Sequence, residues 1–154
     1  MSSLENFSSQ RHLDLRTLKE VWGVRYEDIY GRPALKYPTS LEVDRLKFLD
    51  KGTPKYRWAK AGKGKAHWYG LEKAFPFGGP ILYIVNGEPS VWACYQEGVP
   101  AVCPCGEATK PDKEMIKKLA ESGFSSFKIV FDRDNAGRKG AKSLEESLRR
   151  SGLE

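Results

Sequence analysis

Nothing in the chain approaches the run of about 20 apolar residues that a membrane-crossing helix needs. The N-terminus, MSSLENFSSQ, is polar and lacks the apolar core of a secretory leader, so a cytoplasmic location is expected, with no membrane partner. Cysteine is scarce and odd in number, at 3, which gives no disulfide framework. Cys103-Pro-Cys105 offers two thiols, but a structural zinc ion takes four ligands. Only Cys94 and two distant histidines remain, so zinc is not expected here. AGKGKAH (61–67) lacks the Gly-x-x-x-x-Gly-Lys-Ser/Thr spacing of a phosphate loop and reads as a flexible basic loop, with His67 packing against Trp68. There is no internal repeat and no low-complexity tract.

What the chain does have is enough apolar residue for a core, 40% of its 154 residues with 12% aromatic. It also has an uneven charge. Residues 1–80 carry 15 Lys/Arg against 9 Asp/Glu, whereas residues 81–154 carry 11 of each. Within 45–65 (RLKFLDKGTPKYRWAKAGKGK) there are 8 basic residues and one acid, Asp50. That segment interleaves Lys47, Lys55, Arg57, Lys60, Lys63 and Lys65 with Tyr56 and Trp58. Cations neutralise phosphates and aromatic faces stack on bases, so the combination points to DNA or RNA, single-stranded or as a primed template.

The order of patterns divides the chain. DLRTLKEVWGV spaces Leu15, Leu18, Val21 and Trp22 at helical intervals behind a capping Asp14. GRPALKYP (31–38), RLKFL (45–49) and KYRWAK (55–60) read as short strands. FPFGGP (75–80) breaks the pattern, and the residues beyond it alternate strand and helix. ILYIV (81–85) is a continuous apolar strand of the kind buried in a parallel sheet. After it come a helix over 90–98, a short strand (100–103), a helix opened by Pro111, the strand FKIVF (127–131) and a final helix to Gly152. This β-α-β-α-β-α order predicts an α/β fold with a parallel sheet flanked by helices. The expected divisions are an N-terminal helical extension (1–30), a small basic strand-rich nucleic-acid-binding module (31–78) and an α/β domain (79–154).

In an open parallel sheet, ligands gather at the carboxyl ends of the strands. ILYIV ends in Asn86-Gly87-Glu88, and FKIVF ends in Asp132-Arg133-Asp134. In extended backbone, residues i and i+2 face the same way, so Asp132 and Asp134 can converge. Two like carboxylates held together are costly unless a cation lies between them, and oxygen-only ligands favour Mg²⁺ or Mn²⁺. The plainer alternative is that these aspartates cap the helix beginning near Asn135.

The C-terminal half resembles a Toprim domain of the bacterial and phage primase and primase-helicase type. The family pattern is an apolar strand ending in Glu-Gly-x-x-Asp, a helix, a strand followed by glycine, another helix, and an apolar strand ending in Asp-x-Asp. ILYIVNGEPS, VPAVCPCGEA and KIVFDRDNAGRKGA follow that order. The basic module, with Tyr37-Pro38, its Lys/Arg strand and Trp68-Tyr69-Gly70-Leu71, is similar to the module preceding Toprim in these proteins, so the likeness covers about residues 31–152. It implies that Asp132 and Asp134 hold metal, that Ala136-Gly137 lets the next helix pack close, and that Arg133, Arg138 and Lys139 meet nucleic acid.

Two departures shape the functional expectation. The family's first Glu falls on Asn86 and its Asp on Ser90. Asn86 offers a carbonyl oxygen but no titratable proton, leaving Glu88 or Glu107 as substitutes for the catalytic acid and third metal ligand. The expectation is a primase-type core that binds nucleic acid and divalent metal. Its reaction would be nucleotidyl transfer from a nucleoside triphosphate to a primer 3′-hydroxyl in DNA replication, with a replicative helicase as possible companion. The alternatives are a weakened nucleic-acid-binding module of a replication protein and a metal-dependent nuclease. Because Toprim domains add a strand after the last helix, the chain is also expected to be a fragment or minimal form of a longer replication protein.

Overall fold

The computed structural model describes residues 3–60, 62–105 and 110–153. The chain forms two compact units, Met1–Lys65 and Ala66–Glu154.

The first unit opens with two helices, α1 (Ser3–Gln10) and α2 (Leu15–Glu20). The Asp14 carboxylate accepts the Thr17 backbone N–H at 2.8 Å, which caps α2 as its sequence predicts. Four antiparallel strands come next in spatial order, β1 (Arg25–Ile29), β2 (Arg32–Tyr37), β3 (Arg45–Phe48) and β4 (Tyr56–Trp58). Tyr30 and Gly31 join β1 to β2 with φ of 51° and 83°. Both central residues at positive φ make the two-residue turn whose twist matches the strands. Leu4 and Phe7 of α1 are buried, as are Ala34, Leu46 and Phe48 of the sheet.

One expectation changes in this unit. Residues 1–30 are not wholly helical, because Arg25–Ile29 form the edge strand β1, paired with β2 from Arg25↔Lys36 to Ile29↔Arg32. RYEDI hides this because an edge strand exposed on one face carries few apolar residues. SLENFSSQ forms α1 although its composition is polar, and Leu4 and Phe7, one turn apart, supply the buried stripe.

The second unit begins with the short helix α3 (Leu71–Ala74), which tightens into a 3₁₀ turn at Phe75–Phe77. Then come β5 (Ile81–Val85), α4 (Glu88–Gln96), β6 (Ala101–Val102), α5 (Lys113–Ala120), β7 (Ser126–Val130) and α6 (Asn135–Arg150). The three strands are parallel in the order β6-β5-β7. This is the expected α/β sheet with its covering helices. Leu82 and Ile84 of the central strand are fully buried and share a core with Val102, Met115, Leu119, Leu144 and Leu148.

The division at 78/79 lies instead at 65/66. The reason is packing, since Trp68, Leu71 and Ala74 belong to the same core as Leu82 and Ile84. The Trp68 indole N–H also donates to the Met115 carbonyl at 2.8 Å, and Tyr69 N–H donates to the Cys103 carbonyl at 2.8 Å. FPFGGP is thus a turn inside the second unit. Helix α4 starts at Glu88, earlier than expected, with Pro89 in its first turn. A first-turn N–H has no helical partner, so proline loses nothing there. Helix α5 is opened by Asp112, whose carboxylate accepts Met115 N–H at 2.8 Å, rather than by Pro111. Among the described residues no helix is long and apolar enough to cross a membrane.

Candidate metal centre and nucleic-acid interface

Strands β5 and β7 run parallel in register, ending at the pair Val85↔Val130. Asn86 and Asp132 therefore leave the sheet at the same end, as the sequence predicts. Asp132 and Asp134 are both exposed. Asp134 is the N-cap of α6, and its Oδ1 accepts Gly137 N–H at 2.7 Å. The capping alternative thus holds for Asp134. An ionised carboxylate has about four acceptor positions, and one hydrogen bond leaves room for a cation. A Cβ at Gly137 would collide with the Asp132 carbonyl group and stand 3.0 Å from Asp134 Oδ1. Glycine is what allows the start of α6 to lie against the aspartate pair. The pair and the adjoining exposed Arg133, Arg138 and Lys139 form an open, mixed-charge surface. Its oxygen-only donors suit a hard divalent ion that keeps several waters.

Glu88 is placed elsewhere. It is only 1% exposed, and the Cys103 thiol donates to its Oε1 at 3.4 Å. Among the described residues, the trio of potential ligand atoms within 4.8 Å of one another is Glu88, Cys103 and Cys105. Glu88 is not gathered with Asp132 and Asp134, which corrects the reading of it as a third ligand there. The cause is its position as first residue of α4, where it turns inward with buried Val91 and Trp92. Asn86 is half-buried, Ser90 is exposed, and Glu107 lies outside the described residues.

The thiols have distinct environments. Cys103 is fully buried, and burial pushes its thiol well above the ordinary value. Cys105 is held down to about 6, first by its hydrogen bond with Cys103 and further by His67. His67 Nδ1 stands 3.8 Å from Cys105 Sγ, so His67 does more than pack beside Trp68. The sequence conceals this group because its members are spread over 67–105 and only the fold brings them together.

In the first unit the basic segment is only partly as expected. Lys55, Arg57, Lys60 and Lys63 are exposed, as is Lys65, and Lys47 is half-exposed. The aromatic rings, however, already have neighbours. The Arg45 guanidinium lies 5.2 Å from the Tyr56 ring centre and 4.8 Å from that of Trp58, and Lys47 Nζ lies 4.8 Å from Tyr56. Gly64 sits so close to the Trp58 indole that a Cβ there would overlap the ring. Nothing in the sequence signals a groove that joins Lys47 and Lys55 to Arg11, Lys51, Phe7 and Phe48. Helix α1 walls it, and the polar composition of that helix hides the groove along with it.

No family model matches the chain, and no curated protein matches it. Solved structures do. The primase fragment of the bacteriophage T7 primase-helicase protein superposes with a TM-score of 0.62 at 16% identity, over 91% of this chain and 59% of that one. A chain from bacteriophage T7 lagging-strand DNA polymerase interacting with primase domains of two gp4 subunits bound to an RNA/DNA hybrid and dTTP superposes with a TM-score of 0.59. Its identity is 18%, over 91% of this chain and 72% of that one. The chain therefore has a primase-like fold and spans somewhat over half the length of the T7 fragment.

Proposed function

We propose that this chain is a primase-type core with a weakened metal centre. It binds nucleic acid through 45–65 and the groove of the first unit, and a Mg²⁺ or Mn²⁺ ion through Asp132 and Asp134. The observation that carries the reading is the register of β5 and β7, which sends both strand ends to one sheet edge, with Gly137 letting α6 close on the Asp132 backbone. A bound divalent ion would supply positive charge for phosphate oxygens. Asp132 and Asp134 would hold it, while Arg133, Arg138 and Lys139 would attract the polyanion. The reaction is nucleotidyl transfer from a nucleoside triphosphate to a 3′-hydroxyl, with loss of pyrophosphate. The hybrid and nucleotide in the T7 assembly support an RNA/DNA substrate class and a role in DNA replication, and the primase-helicase protein from which the T7 fragment comes supports a helicase companion.

The weakness is in acid–base chemistry. Asn86 stands where the resemblance places a glutamate, and Glu88 faces two thiols. Loss of general acid–base help costs about 10²–10⁴-fold in rate. That observation favours, as second reading, a non-catalytic nucleic-acid-binding module. Mn²⁺ binding followed by electron paramagnetic resonance, alongside primer extension, separates the two. Weak binding abolished by Asp132→Asn with slow synthesis supports the enzyme. The same binding with no synthesis supports the module. Mn²⁺ binding indifferent to both Asp132→Asn and Asp134→Asn removes the metal centre.

A further inference from the structure

Glu88, Cys103, Cys105 and His67 come from three separate stretches of the second unit, the segment before α3, the start of α4 and the loop after β6. Their donors are two sulfurs, an imidazole nitrogen and a carboxylate oxygen. In a tetrahedral zinc site, with Zn–S about 2.3 Å and Zn–N or Zn–O about 2.0–2.1 Å, neighbouring sulfur and nitrogen or oxygen ligands lie about 3.5 Å apart. Cys103 Sγ to Glu88 Oε1 is 3.4 Å and Cys105 Sγ to His67 Nδ1 is 3.8 Å. The first matches a ligand-to-ligand edge of such a tetrahedron, and the Glu88, Cys103 and Cys105 atoms all lie within 4.8 Å of one another, whereas His67 stands beside Cys105 but outside that mutual distance.

We propose that Glu88, Cys103 and Cys105 hold a zinc ion, with the His67 ring swinging in from beside Cys105 to close the site as fourth ligand, independent of the Asp132/Asp134 centre. The set is borderline-soft, as zinc prefers and magnesium does not. The N-terminus of α4 already favours a carboxylate at Glu88, but it gives no reason for two thiols to converge on it. A thiol is a weak donor, so Cys103 offers a buried carboxylate little compared with a dication. Cys105 adopts φ of 60°, a left-handed conformation that is unfavourable for a non-glycine residue. Its sulfur nonetheless lies with that of Cys103, two residues away. Cys105 is the half-exposed member, which leaves an entry path for the ion. With four protein ligands the ion's role is structural. It pins the Gly87–Glu88 turn, and with it the end of β5 that carries Asn86, to the Cys103–Cys105 loop.

The test is elemental analysis of the full chain purified without chelator, followed by replacement of the metal with Co²⁺. The expected result is about one zinc per chain, and a cobalt form with intense visible bands of tetrahedral geometry and near-ultraviolet thiolate-to-cobalt charge transfer. Cys105→Ser and His67→Gln should each weaken zinc binding at least about tenfold. Cys94→Ser and Asp132→Asn should leave it unchanged. In thiol titration, added zinc should protect two of the 3 cysteines. Cys103 is wholly buried and its replacement risks the fold itself, so Cys105→Ser with the cobalt spectrum decides the matter. The proposal is overturned by a chain that takes up no zinc or cobalt with its thiols reduced. It is equally overturned by cobalt bands that survive Cys105→Ser, or by a Cys103–Cys105 disulfide as the stable form under reducing purification. Because Asp132→Asn is the control here, failure of this site and failure of the magnesium centre are told apart.

Discussion

Gly137 lies so close to the Asp132 backbone carbonyl that no side chain fits between them. The glycine is not there for an unusual φ, since it sits inside the first turn of α6. It is there for close approach. Gly137→Ala must push the helix start away from the strand end, so it should destabilise the fold by about 1–3 kcal/mol, the ordinary cost of overpacking. It should also weaken divalent-ion binding. Denaturant unfolding and Mn²⁺ titration check the two effects. A variant with unchanged stability would show that α6 shifts freely, and that its contact with Asp132 positions nothing.

Asp134 caps α6, and its proposed role as a metal ligand is separable from that. Asn caps a helix about as well as Asp, whereas Ala costs about 1 kcal/mol. Asp134→Asn should therefore keep the stability of the natural chain and lose metal affinity, while Asp134→Ala should lose both. Unfolding curves measured beside metal titrations check this. Equal metal affinity in all three proteins would leave Asp134 as a cap alone.

These two residues also show what the sequence could and could not disclose. Asp-x-Asp after an apolar strand is a local pattern, and its geometry comes from strand periodicity and a helix start within a few residues. The apolar strands ILYIV and FKIVF were legible for the same reason, and so was Asp14 as a cap. The inward turn of Glu88 was not, because it depends on α4 beginning at Glu88 rather than Ser90. Nor was the Glu88–Cys103–Cys105 cluster, whose members meet only through the β5–β6 pairing. The polar strand Arg25–Ile29 and helix Ser3–Gln10 escaped because tertiary packing, not local propensity, holds them in place.

Nucleic-acid binding by the first unit should be strongly salt-dependent. On a single strand each neutralised phosphate contributes about 0.7 to the slope of log affinity against log salt. If Lys60, Lys63 and Lys65 each meet a phosphate, their joint replacement by Ala should flatten that slope by about 2 units. Fluorescence anisotropy at several salt concentrations measures it. Trp58 is already covered by Arg45 and Gly64, so Trp58→Ala should lower stability more than it lowers affinity. An unchanged slope in the triple variant would take this segment out of the footprint.

Asp50 joins β3 to β2 through Arg32, whose Nε and Nη2 donate to its two oxygens at 2.8 and 2.7 Å. The hydrogen bonds from Arg32 hold its carboxyl at about 2, below the ordinary 3.8. A depressed folded value means that the unfolded chain takes up the proton first as pH falls. The stabilisation is therefore complete above about pH 4 and disappears as pH falls through about 2. Melting temperatures taken from pH 5 downwards should fall across that window more steeply in the natural chain than in Asp50→Asn. Parallel curves would show that the pair contributes nothing net.

The substitution that bears most directly on function is Asn86→Glu. Asn86 directly follows β5, which ends beside the end of β7, so a carboxylate there adds negative charge and a titratable group on the edge that carries Asp132. Charge count tunes the affinity of oxygen-ligand sites for divalent ions, and the variant should bind Mn²⁺ at least about tenfold more tightly. If the missing acid is the only defect, nucleotidyl transfer should rise by about 10²–10⁴-fold, the usual worth of a positioned general acid or base. Glu88→Gln supplies the contrast. Because Glu88 lies with the two thiols, its loss should leave magnesium binding intact and weaken zinc binding instead. Metal-dependent synthesis by the natural chain that Glu88→Gln abolishes, with zinc content unchanged, would show that Glu88 serves the reaction after all.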